Sequence, residues 1–130
     1  MTEFVVKLPL IKNQEFVNFL ENSIKNTQFI FLMGELGAGK TTLVKLIGKI
    51  LNEQKNIKSP SFNYINIYDK FIHIDAYNLN GSIDDFEDFI EDKLVIVEWA
   101  NLLNYDKYKN RLIIKIKYTK NLNERKYLVY

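Results

Sequence analysis

Gly34-Glu35-Leu36-Gly37-Ala38-Gly39-Lys40-Thr41 fits the pattern of a glycine, four residues, then Gly-Lys-Ser/Thr. The chemistry this spacing supports is the holding of a triphosphate. Glycines reach backbone conformations closed to other residues, so successive N–H groups can turn inward on anionic oxygens. A helix starting at the same point adds its free N–H groups and positive dipole end. Lys40 then supplies a point charge for the β- and γ-phosphates and Thr41 a hydroxyl ligand for Mg²⁺, with Thr42 in the first turn as further support. A chance glycine-rich turn would match the same pattern, and the flanks decide between the two. Phe29–Met33 is a continuous apolar run, as in a strand buried on both faces. Leu43, Leu46, Ile47, Ile50 and Leu51 give one apolar face to a helix from Lys40 to about Glu53. Residues 34–42 are therefore assigned to phosphate binding.

Such a loop needs an acid from a second strand to hold Mg²⁺, directly or through water, and often a group to orient the attacking water. Two apolar runs end in acids: Phe71–Ile74 leads into Asp75, and Leu94–Val97 into Glu98. Ligands of open α/β sheets gather at the carboxyl ends of strands, so both acids can face the phosphates. His73 alternates with Ile72 and Ile74 and reads as a packing residue, because phosphoryl transfer relies on positioning and electrostatics. Trp99, next to Glu98, suits either the core or a nucleotide pocket, and composition alone favours the core.

The elements that must carry these groups can be read in turn. Phe4–Leu8 is a short apolar run and a strand. Asn13 is placed to cap a helix through about Lys25, with Phe16, Val17, Leu20 and Ile24 on one face. Asn63–Tyr68 and Phe71–Ile74 form a hairpin around Asp69-Lys70. Ser82 and Asp85 make a capping box for a helix through about Glu91. Arg111–Tyr118 and Lys126–Tyr130 form a C-terminal hairpin around residues 121–123. Intermixed strands and helices predict an α/β fold, a central mixed sheet flanked by helices. At 130 residues and without a linker-like stretch, residues 1–130 are expected to form a single domain.

Composition narrows the classes. A net charge of +2 is too balanced to argue for nucleic-acid binding. There are no cysteines, which removes disulfides and thiolate metal sites. No stretch approaches the roughly 20 apolar residues that span a bilayer. Met1-Thr2-Glu3-Phe4 lacks the start of a secretory signal, so the expected location is cytoplasmic, with no membrane partner. Only two of the 18 cations are arginines, Arg111 and Arg125. Both fall in the C-terminal hairpin, away from the segments placed over the phosphates.

Gly-Glu-Leu-Gly-Ala-Gly-Lys-Thr-Thr (34–42), Ser-Pro-Ser-Phe (59–62), His-Ile-Asp-Ala-Tyr (73–77) and Glu-Trp (98–99) together resemble the TsaE (YjeE) family in order and spacing. These are small bacterial P-loop ATPases required for threonylcarbamoyladenosine modification of tRNA. The resemblance implies a P-loop NTPase fold, ATP and Mg²⁺, and work with the proteins TsaB and TsaD, which modify the adenosine beside the anticodon. Contact with tRNA would be indirect, through that complex. By position, the resemblance makes Lys40, Asp75 and Glu98 catalytic and Thr41 a Mg²⁺ partner. The resemblance leaves open which acid is nearer Mg²⁺; Glu98 is chosen here for the ion and Asp75 for orienting water. It sets Trp99 beside the nucleotide and Ser61 in a switch-like loop near the γ-phosphate. The chain departs from the family where Ser61 replaces the usual Thr and Asn78 the usual Arg. It also lacks a Leu-Gly pair within residues 84–92.

Four functions are weighed on these residues. A partner-dependent ATPase fits all of them. A small-molecule P-loop kinase, the principal alternative, would carry several arginines in a lid. A GTPase would carry Asn-Lys-x-Asp, and the nearest string, Thr119-Lys120-Asn121-Leu122, lacks the acid. A non-catalytic scaffold would not need Asp75 and Glu98. The missing guanine motif predicts that ATP and ADP bind with Mg²⁺ and that GTP binds more weakly. Calorimetry tests this, and GTP binding as tightly as ATP would reject it.

Overall fold

The computed structural model describes residues 1–35, 37–60, 64–77, 92–100 and 104–130. In chain order they form β1 (Thr2–Lys7), α1 (Gln14–Ile24), β2 (Phe29–Gly34), α2 (Lys40–Ile50), β3 (Ile65–Ile67), β4 (Phe71–Asp75), β5 (Leu94–Glu98), β6 (Arg111–Tyr118) and β7 (Glu124–Val129). The seven strands make one sheet in the order β1-β7-β6-β2-β5-β4-β3. The apolar run of β2 puts it inside the sheet, parallel to β5 on one side and β6 on the other. β4 lies parallel to β5, while β3 on one edge and β7 with β1 on the other are antiparallel. The expected mixed sheet is therefore observed.

Alternation along the strands divides the core in two. Ile30, Leu32, Phe71, Ile96, Ile114 and Ile116 pack on Leu20, Leu43 and Ile47 of the helices. Phe31, Met33, Ile72, Ile74, Val95 and Val97 form the other face, where Tyr105 and Tyr108 pack against them. Phe16 anchors α1 to the antiparallel edge, with ring centroids 5.2 Å from Phe4 and 4.7 Å from Tyr127.

Several element bounds differ from the reading of the sequence. Asn13 sits at the N-cap of α1, but its side chain does not cap the helix. Its amide donates instead to the carbonyls of Lys7 at 2.7 Å and Pro9 at 3.2 Å, tying the helix start back to β1. α2 ends at Ile50 because Asn52 takes a left-handed conformation (φ 61°) that a helix cannot continue through. Ile50 and Leu51 are consequently only half-buried. β3 starts late because Tyr64 is also left-handed (φ 61°). The hairpin turn at Asp69-Lys70 forms as expected, closed by the Tyr68 N–H on the Phe71 carbonyl at 2.9 Å. β7 begins at Glu124, earlier than its apolar residues suggest, because β1 supplies a ladder partner to Glu124 and β1 and β6 both supply one to Arg125. The helix expected from Ser82 to Glu91 lies outside the described residues. No helix among the described residues is long and apolar enough to cross a membrane.

The parallel run of β2, β5 and β4 matters most for the site. It brings three strand ends, Gly34, Glu98 and Asp75, to one edge of the sheet. Asp75 and Glu98 are direct register partners, as are Leu32 and Glu98.

Candidate functional site

The chain leaves β2 at Gly34 and must reverse within a few residues to start α2 beside it. Gly37 (φ 78°) and Gly39 (φ 110°) make that reversal in the left-handed region, where a Cβ is strained. Gly39 is also the N-cap of α2, without a side-chain cap, so the N-terminal N–H groups of α2 are not capped by it. The Ala38 N–H closes the loop on the Glu35 carbonyl at 3.0 Å.

Lys40 is folded back into this loop and is only 5% exposed. Its Nζ donates to the carbonyls of Gly34 at 2.7 Å and Glu35 at 3.0 Å, and lies 4.0 Å from the centre of the Trp99 ring. Burial pushes its pKa below the usual lysine range, while the charges of Glu98 and Asp75 pull it back up. A phosphate oxygen is a stronger acceptor for an ammonium than a neutral carbonyl. The loop carbonyls therefore hold Lys40 in a position from which a phosphate could draw it.

Glu98, 6% exposed, faces α2 because residues 94, 96 and 98 alternate onto the helix side of β5. Thr41 Oγ1 lies 3.2 Å from Glu98 Oε2 and 2.9 Å from Ser59 Oγ. With Thr41 donating to the carboxylate, Ser59 is the donor to Thr41. His73 Nε2 meets the same Glu98 oxygen at 2.5 Å. Asp75 is half-buried beside Glu98 and accepts from the Tyr77 N–H at 2.9 Å, which fixes the turn after β4. One cleft of about 330 Å³ is lined by Gly37, Gly39, Lys40, Thr41, Thr42, Asp75, Glu98 and Trp99 together with Ser59 and Pro60. Both strand-end acids thus share one cleft with the glycine loop.

Trp99 has two sets of neighbours. It packs against the second core face and also covers Lys40. It does so from a left-handed backbone (φ 59°), a conformation that costs a bulky residue on the order of 1–3 kcal/mol. Gly34, Glu35 and Ala38 sit in the loop as expected. Leu36 and Ser61, also assigned to the site, lie outside the described residues, as does Asn78.

Three residues near the loop were not singled out from the sequence as site groups. Ser59 lies in the Ser-Pro-Ser-Phe motif, two residues from the serine chosen there. His73 shares the face of Asp75 by simple alternation, which places it near the site without pointing to its partner on β5. Arg125 corrects an expectation. The hairpin that carries it was placed away from the phosphates, yet its Nε donates to the Ala38 carbonyl at 3.1 Å. Its guanidinium lies 4.7 Å from the ring centre of Tyr118, its register partner, and donates to the Leu122 and Glu124 carbonyls at 2.9 and 2.8 Å. β7 pairs with β6, and β6 with β2, so the hairpin returns to the loop that β2 enters. No apolar period in the sequence reports such a contact. Arg111 does stay away from the cleft, on Asp106 at 3.4 Å.

Comparison with known proteins sets this geometry in context. The family model described as threonylcarbamoyl adenosine biosynthesis protein TsaE matches residues 11–127. The tRNA threonylcarbamoyladenosine biosynthesis protein TsaE of Streptomyces coelicolor is 31% identical over 108 residues, covering 75% of this chain and 73% of that protein. The protein of the same name from Aquifex aeolicus is 39% identical over 82 residues, 58% of this chain and 60% of that one. The crystal structure of Bacillus subtilis YdiB superposes with a TM-score of 0.70 at 24% identity, covering 97% of this chain and 83% of that one. That likeness speaks for the fold.

The contact of Arg125 with the loop generates a prediction. Arg125→Ala removes a charge-assisted hydrogen bond from the Ala38 carbonyl, an interaction of about 1 kcal/mol at a half-buried site. Amide hydrogen exchange in residues 37–40 should quicken by roughly fivefold, with β4 and β5 unchanged. Unaltered loop exchange would show that the arginine does not hold the loop.

Proposed function

The chain belongs to the TsaE family of threonylcarbamoyl adenosine biosynthesis proteins, and on that premise we propose that it is a Mg²⁺-dependent ATPase acting with TsaB and TsaD in tRNA modification. The observation that carries this reading is the convergence of Lys40, Thr41 and Glu98 on one glycine loop between β2 and α2. Lys40 would neutralise charge on the β- and γ-phosphates, and the loop N–H groups would cradle them. The Thr41 hydroxyl and the Glu98 carboxylate suit Mg²⁺, a hard cation that keeps several waters and takes only one or two protein carboxylates beside substrate phosphates. Among the described residues no three His, Cys, Asp or Glu side chains converge as an all-protein cage. When bound, Mg²⁺ supplies charge neutralisation at the phosphoryl oxygens. Asp75, more exposed than Glu98 and on the same cleft, is the group proposed to orient water.

The engagement of the arginines supports a partner requirement. Efficient P-loop hydrolysis often uses an arginine at the transferred phosphate, worth roughly 10³–10⁵ in rate. Arg125 is occupied with carbonyls of the loop and its own hairpin, and Arg111 with the segment around Asp106. Among the described cleft residues Lys40 is the one cation. The isolated chain is therefore a slow ATPase, and TsaB with TsaD accelerates it, supplying a cation or acting through the Ser-Pro-Ser-Phe motif (59–62) at the γ-phosphate.

Steady-state ATP hydrolysis, measured alone and with TsaB, TsaD and tRNA, tests the proposal. The complex should be faster than the chain alone, and Lys40→Ala should lower its rate roughly 10²-fold or more. Glu98→Ala should weaken Mg²⁺-dependent nucleotide binding as well as turnover. Asp75→Ala should slow turnover with binding better preserved. Normal turnover in all three variants would reject the site, and equal rates with and without partners would reject the partner requirement.

A further inference from the structure

His73 is completely buried on β4, two residues before Asp75 and on the same face. Its Nε2 meets Glu98 Oε2 at 2.5 Å across the β4–β5 pairing, while its Nδ1 is buried with no hydrogen-bond partner among the described residues. For packing alone this is a poor choice of residue. An apolar side chain would fill the same space without leaving a polar atom unmatched, and an unmatched buried polar atom lowers stability. The ring is accounted for by its contact with Glu98, a nearly buried carboxylate that needs a donor in place of water. A carboxylate oxygen cannot donate, so Nε2 carries the proton of this bond.

We propose that His73 is a positioning residue, which pins one oxygen of Glu98 so that the carboxylate is oriented toward Thr41 with Oε1 available to a hydrated cation. The inference rests on the reading of Glu98 as a Mg²⁺ partner. The geometry is consistent with it. Oε2 receives both His73 Nε2 and the Thr41 hydroxyl, the latter at 3.2 Å, whereas Oε1 has the longer Thr41 separation of 3.4 Å. Register ties the elements together. Asp75 pairs with Glu98 and His73 with Ile96, so the imidazole lies beside the carboxylate one pleat below the strand ends. A histidine donor behind a metal-binding carboxylate is an outer-shell contact of the kind whose loss changes metal affinity or activity by roughly 10- to 100-fold.

Two measurements test this on the full chain. In the wild-type protein, nitrogen-detected NMR of the single histidine should find the ring proton on Nε2, in a strong hydrogen bond. A proton on Nδ1 with Nε2 bare would overturn the pairing, whatever the function. In the second, Mg²⁺ is titrated against ATP hydrolysis in the TsaB–TsaD complex for His73→Leu and His73→Gln. His73→Leu removes the donor, and the Mg²⁺ concentration for half-maximal rate should rise roughly tenfold, with the rate at saturating Mg²⁺ changed less. His73→Gln restores an N–H at similar reach and should return that midpoint to within about threefold of wild type, a rescue that a packing role would not give. Equal Mg²⁺ midpoints in all three proteins would overturn the inference while leaving the ATPase reading intact. A wild-type protein indifferent to Mg²⁺ would overturn that reading, and the NMR result would still decide the pairing. If His73→Leu does not fold, the Gln variant and the NMR measurement decide.

Discussion

A lysine ammonium with 5% exposure must find acceptors inside the protein, because taking a charge out of water costs several kcal/mol unless something replaces the lost hydration. The site is arranged around that demand. Two backbone carbonyls at the end of β2 accept from Lys40, and they are available because the chain turns away there through left-handed glycines instead of continuing the ladder. Trp99 closes the remaining side with the face of its ring, and the carboxylates of Glu98 and Asp75 supply opposing charge. Lys40 is the first residue of α2, so the demand also fixes where the helix begins relative to the strand.

The sheet makes the arrangement possible with few specialised residues. Parallel pairing of β2, β5 and β4 aligns three strand ends, and the two-residue alternation sends Glu98, Asp75 and His73 to the helix side. A slip of one residue in β5 would turn Glu98 into the opposite core face and leave the cleft without its buried acid. The apolar residues between them, Val95 and Val97 on one face and Ile96 on the other, set that register. Stability of the sheet and geometry of the site are therefore the same property. The antiparallel edge contributes as well, since β7 carries Arg125 back to the loop carbonyl that β2 and α2 enclose.

Much of this was legible from residue types. The loop pattern, the apolar strand before it and the amphipathic helix after it are local, and local patterns survive in sequence. Asp75 and Glu98 were found because each follows a buried run, and strand ends are where a parallel sheet presents groups. The contacts that were not legible cross between distant segments. Arg125 reaches Ala38 over 87 residues, and Asn13 prefers carbonyls of the preceding segment to its own helix. His73 was read as a packing residue because its flanking isoleucines look apolar. Its partner lies 25 residues away on another strand, and alternation alone does not reveal it. Helix and strand ends shifted where Asn52 and Tyr64 adopt left-handed conformations that their residue types do not announce.

On the proposed function, the loop carbonyls hold Lys40 in readiness and a bound triphosphate would draw it away from them. Trp99, the single tryptophan, has its ring centre 4.0 Å from that ammonium, so its emission should respond when the ammonium moves. Fluorescence titration of the wild-type chain with a non-hydrolysable ATP analogue and Mg²⁺, with calorimetry run in parallel, tests this movement. Trp99 emission should change saturably, with a midpoint that matches the calorimetric one. Binding by calorimetry with no change in Trp99 emission would contradict it.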